Sequence, residues 1–136
     1  MNILKIIILI SSISLLNSFG SDSNTLGDKL FGTWVYSNYD NKSIQFKKER
    51  SFDDKKPGIK FMKNGTLVKR QNSGWCGTPP ISYKNFEGTW KTTSDSTLNI
   101  RYKYWGGTIE EDWLIIDLSN KVFTVKSLEQ RKEKDY

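Results

Sequence analysis

The 136-residue chain contains no histidine and only one cysteine, Cys76. Without an imidazole there is no Ser-His-Asp or Cys-His activation of a nucleophile, and the commonest transition-metal ligand is missing, so no zinc centre is expected. A lone thiol excludes an intramolecular disulfide even in an oxidising compartment. Gly74-Trp75-Cys76-Gly77 resembles a redox motif only superficially, because Pro79 stands where the second cysteine would be needed. Calcium-loop spacing is also absent. No catalytic residue, metal or cofactor is therefore assigned, and the chain reads as a binding protein rather than an enzyme.

Long apolar runs are confined to Ile6–Leu16, which follows Lys5 and is too short to cross a bilayer. With small residues at Ser18 and Gly20, this is the anatomy of a signal peptide over residues 1–20; an uncleaved N-terminal anchor is the alternative. The position after cleavage holds Ser21, not the cysteine a bacterial lipoprotein needs. The chain is thus expected to be periplasmic or secreted and not embedded in a membrane. Removing the leader leaves 116 residues and lowers the net charge from +6 to +5. That length holds one core without staples. The cations Lys47, Lys48, Arg50, Lys55 and Lys56 are interleaved with Glu49, Asp53 and Asp54, which describes a solvated surface and not a nucleic-acid footprint.

From residue 30 onward, short alternating segments recur about every ten residues between Gly, Asn, Asp and Ser. Eight strands are predicted: Leu30–Ser37, Ser43–Glu49, Gly58–Met62, Thr66–Gln71, Asn85–Thr92, Thr97–Tyr104, Thr108–Asp117 and Lys121–Ser127. Asn64-Gly65 carries the type I′ hairpin signature, and Gly106-Gly107 can act similarly. Residues 21–29 read as a linker or helical turn, 30–128 as the domain and 129–136 as a charged tail. Alternation places Phe86, Gly88 and Trp90 on one face, and Leu98, Ile100, Tyr102 and Tyr104 on another. Trp113-Leu114-Ile115-Ile116 is apolar on both sides. Eight antiparallel strands with one apolar face are most economically buried by closure, which also removes exposed edges. The expected fold is an all-β, eight-stranded antiparallel up-and-down barrel, with a sandwich as the alternative.

Phe31-Gly32-Thr33-Trp34 and Gly88-Thr89-Trp90, with the Lys63–Thr66 hairpin between them, resemble the lipocalins, in particular short exported lipocalin-like proteins of Bacteroidetes. The resemblance spans about residues 26–128. It implies a barrel whose first Trp plugs the closed end beneath a cation, for which Lys126 on the last strand, or more distantly Arg101, is available. It also implies a small, largely apolar ligand in the interior, against Trp34, Tyr36, Phe46, Phe86, Trp90, Tyr102, Tyr104 and Trp113. For Trp34 and Trp90, a purely structural role as core aromatics is the favoured reading. The alternative function is a solid barrel that contacts another protein through the residue 72–84 loop, with Trp75, Cys76 and Tyr83 as its candidate contacts. Among Glu110, Glu111 and Asp112, Glu111 shares parity with Trp113. Inside the barrel it would need Arg101 or a tyrosine hydroxyl as partner and could hold a polar ligand head. Exposure at the rim is the favoured expectation. Adjacent acids on a strand point to opposite faces, which argues against a glycosidase pair.

Overall fold

The computed structural model describes residues 25–74 and 76–135; the expected leader and Trp75 lie outside them. Thr25 caps a short helix, α1 (Leu26–Leu30), through a capping box in which its hydroxyl accepts from the Asp28 amide while the Asp28 carboxylate accepts from the Thr25 amide. This is the anticipated helical turn. Leu30, read from sequence as the start of the first strand, instead ends α1 and is fully buried. No helix among the described residues is long and apolar enough to cross a membrane.

Eight strands follow: β1 (Gly32–Asp40), β2 (Ser43–Glu49), β3 (Gly58–Phe61), β4 (Thr66–Asn72), β5 (Tyr83–Thr92), β6 (Thr97–Tyr104), β7 (Gly107–Leu118) and β8 (Val122–Lys134). They close into an antiparallel barrel in the order β1-β2-β8-β7-β6-β5-β4-β3. From β3 to β8 this is the expected meander. The order departs from strict next-neighbour pairing at one point: β3 pairs with β1, Gly32↔Phe61 through Val35↔Gly58, while β2 pairs with β8. Consequently β2 and β3 flank β1 and run in the same direction, and residues 50–57 cross between them. Arg70 holds this crossover through the Asp53 carbonyl at 3.0 Å and the Asp54 carboxylate at 3.6 Å, and the Tyr36 amide donates to the Pro57 carbonyl. Val35, on the opposite face of β1 from Trp34, is buried even so.

Two local expectations are corrected. The two-residue turn with both φ angles positive is Asn41-Lys42, joining the paired Asp40 and Ser43, whereas at Asn64-Gly65 only Gly65 has positive φ. Asn tolerates the left-handed region through local hydrogen bonding. The charged tail is also strand as far as Lys134, because Glu129–Lys134 pair in register with Gly107–Asp112. Two bulges interrupt the β7–β8 ladder, and the residues left without partners, Ile116 and Leu128, are both exposed. Ile116 is thus an exposed apolar position on the outer face of the doubly apolar seventh strand.

Phe123 is the hub of the core. Its ring lies 5.4 Å from Trp34, 5.8 Å from Phe46, 6.0 Å from Phe61 and 6.4 Å from Trp113. These spacings are those of directly packed rings, so the barrel centre is filled by side chains. Leu30, Ile59, Leu67, Leu98, Ile100 and Val125 complete it and are fully buried.

Candidate functional site

The sequence-predicted binding residues divide along the barrel axis. Trp34 and Trp90 seal the end covered by α1. The Trp34 indole N–H donates to the Leu30 carbonyl at 2.7 Å, and the Trp90 indole donates to the Met62 carbonyl at 3.0 Å. Trp90 meets Phe31 and Phe61 edge-on. The cation across Trp34 is neither Lys126 nor Arg101 but Lys48 of β2, whose Nζ sits 4.5 Å from the ring centroid and donates to the Phe31 carbonyl. Burial lowers the Lys48 pKa. Gly32, at φ +113°, makes room: a Cβ there would stand 2.9 Å from Lys48 Cε. Arg101 instead lies on the outer face, paired with Glu110 and Glu133.

Phe46, Tyr102 and Trp113 form the middle layer and are buried. Above them, Tyr36, Phe86 and Tyr104 share the inward parity of the core residues yet are only half-buried. The barrel wall is incomplete at this level. β3 begins at Gly58, opposite Arg70, and the β2–β8 ladder stops at Ser43↔Lys126, so the upper parts of β4–β8 continue as an open curved sheet. This end meets solvent.

At the boundary between filled core and open end lies a polar cluster that sequence parity partly foretold. Glu111 is only 6% exposed, which overturns the expected rim position. Its Oε1 accepts from the Tyr102 hydroxyl at 2.7 Å and the Gln130 amide at 2.6 Å, and its Oε2 accepts from the Trp113 indole. The tyrosine partner was anticipated; Arg101 was not needed. Three donors around one carboxyl group suit the ionised form. Burial, and then the Glu111 charge, push the Tyr102 phenol well above the usual tyrosine range. Glu110 and Asp112 point the other way, to an outer network in which Asn99 donates to both and Arg131 pairs with both. Adjacent acids are thereby separated onto opposite faces, as strand geometry requires.

Lys69 completes the cluster and was not among the residues singled out from sequence. It follows Leu67 at inward parity on β4, and its half-buried side chain reaches over the middle layer. Its Nζ stands 5.2 Å from the Trp113 ring, 5.6 Å from Phe46 and 5.7 Å from Tyr102. Desolvation lowers its pKa, partly opposed by the nearby Glu111 charge. Among the described residues, no acceptor lies within hydrogen-bond or ion-pair distance of this ammonium. The readable signal was a lysine at an inward position between Leu67 and Gln71. Gln130 was missed because it sits in the segment read as tail.

The loop between β4 and β5 places Cys76 at the surface and Tyr83 half-buried at the start of β5. A hydrogen bond with Thr78 lowers the Cys76 pKa. At the opposite end, a groove of about 1110 Å³ runs between α1, Trp90, the residue 93–96 turn and Ile115–Leu118. Its charged residues Lys29, Lys63, Lys91, Asp95 and Asp117 are all exposed, so among the described residues it has no buried charge to orient a ligand. No family model matches the chain, and comparison with curated proteins and with solved structures gives no match.

Proposed function

We propose that this chain is an exported, non-catalytic, lipocalin-like binding protein that takes a small, largely apolar molecule at the open end of its barrel. The observation that carries the reading is the half-buried inward residues Tyr36, Phe86 and Tyr104 standing over a filled core, with Lys69, a cation that has no partner among the described residues, lying over Trp113. Directly packed rings around Phe123 leave the deep interior to side chains, so the ligand belongs above Trp113 and Phe46 rather than beside Trp34. Mixed apolar walls with a few convergent polar groups are the usual makeup of small-molecule sites. Glu111 accepts from three structural donors, which suits positioning.

Titration of the full chain with the neutral fluorophore N-phenyl-1-naphthylamine tests this. Saturable enhancement is expected, and Phe86→Glu should abolish it while the fold persists by circular dichroism. No enhancement, or equal enhancement in the variant, refutes the reading. A second reading, docking of a protein partner, is favoured by one observation: Ile81 in the β4–β5 loop and Trp105 in the β6–β7 turn are exposed at this same end.

A further inference from the structure

We infer that Lys69 is the recognition point for the carboxylate of a small apolar acid, which enters the open end of the barrel with its charged group leading. The inference deepens the proposed function and rests on the open end being the ligand site.

Lys69 offers three N–H donors and, among the described residues, none is used. Glu111, the one carboxylate whose charge reaches it, lies beyond ion-pair distance and accepts instead from Tyr102, Trp113 and Gln130. The faces of Phe46, Tyr102 and Trp113 lie against the ammonium, and all three belong to the buried core. Lys69 itself is half-buried, at the level where the barrel opens. Among the described residues no buried side-chain nitrogen lacks a partner, so this half-buried ammonium keeps contact with solvent, and an arriving anion would replace that water with a charge-assisted bond.

On the inner face of this end cations outnumber acids. Gln130 turns its side chain inward to Glu111, and Lys132 and Lys134 follow it on the same face of β8, paired with Ile109 and Gly107 of β7. Against Lys69, Lys132 and Lys134 the inner face sets, among the described residues, only Glu111. A single negative charge is therefore welcomed by the field, and an apolar body has Phe86, Tyr104 and Tyr36 to lie against. A carboxylate suits this geometry better than a phosphate. One ammonium stands at depth, ringed by aromatic faces, and a dianion there would carry a second charge without a direct partner.

Isothermal titration of the full chain with decanoate, decanol and decyl phosphate at neutral pH tests the assignment, repeated on Lys69→Met and Lys69→Arg. Decanoate is expected to bind about tenfold or more tightly than decanol, the preference typical of a charge-assisted contact. Lys69→Met should lose that preference, with decanoate binding no more tightly than decanol, and Lys69→Arg should largely keep it. The Trp113 indole N–H resonance should shift on adding decanoate to the parent. Equal binding of acid and alcohol, or a preference surviving in Lys69→Met, overturns the role of Lys69 but leaves the open-end site intact. Tighter binding of decyl phosphate overturns the carboxylate assignment. Binding of none of the three overturns the site and the inference together.

Discussion

Replacing Glu111 by Gln changes one atom and tests whether the buried cluster is organised around a negative charge. The carboxylate is 6% exposed and accepts from three donors. An amide of the same shape keeps one acceptor oxygen and turns an NH2 toward a former donor. If the oxygen stays with Tyr102 and Gln130, the Trp113 N–H faces the new NH2 and loses its partner. Leaving a buried donor unsatisfied costs about 1–3 kcal/mol, and downgrading the other bonds from charge-assisted to neutral costs about 1 kcal/mol more. Lys69 also loses the opposite charge that partly offsets its desolvation. The expected loss is about 3 kcal/mol, which for a domain of this size lowers Tm by roughly 10 °C. Urea unfolding followed by tryptophan fluorescence measures it, with an unchanged m-value as the sign that only stability moved. A double-mutant cycle with Tyr102→Phe should show coupling of about 1 kcal/mol or more, since the hydroxyl contributes through Glu111. A Glu111→Gln protein within about 0.5 kcal/mol of the parent would refute the reasoning.

The raised Tyr102 pKa has a defined sign: its contribution is fully present below about pH 10, and stability falls as the pH rises beyond that, because the unfolded chain ionises first. Phenolate absorbance should accordingly show one tyrosine un-ionised while the fold lasts, and Tyr102→Phe should reduce the alkaline loss; full ionisation of all tyrosines in folded protein would contradict it. Gly88→Ala should cost about 3 kcal/mol or prevent folding, because a Cβ there runs into the Arg101 carbonyl and stands 2.8 Å from Tyr102 Cα; an Ala variant melting like the parent would sink this. Lys48→Met should lose about 1–2 kcal/mol through its contact with Trp34 and its bond to the Phe31 carbonyl, whereas Lys126→Met should be near neutral, both read by thermal denaturation.

What could be read from sequence, and what could not, follows the range of the interactions involved. Strand alternation is a local property, so the inward positions of Trp34, Phe46, Phe86, Tyr102 and Trp113 were legible, and closure followed from the need to bury one face of eight strands. Which strand lies beside which is not local. Residues 50–57 contain nothing in their own pattern that distinguishes a hairpin return from a crossover past β1; Arg70 and Tyr36, distant in sequence, supply the contacts that hold it. The Trp34 cation was misassigned for the same reason, since β3 and not β8 closes the barrel against β1, which leaves Lys126 a strand away and the ring to Lys48. The two polar residues inside the barrel failed in a different way. Parity put Glu111 inward with Trp113 and would have put Lys69 inward with Leu67, but the ordinary expectation that charge stays in water argued against both positions. Where strand period and residue chemistry disagree and the period prevails, the charge is held against its own solvation, and such conflicts are expected at sites that do something besides fold. Glu111 resolves its conflict internally with three donors. Lys69 does not: among the described residues its ammonium has no acceptor, and at an open mouth that is a conflict a ligand would resolve.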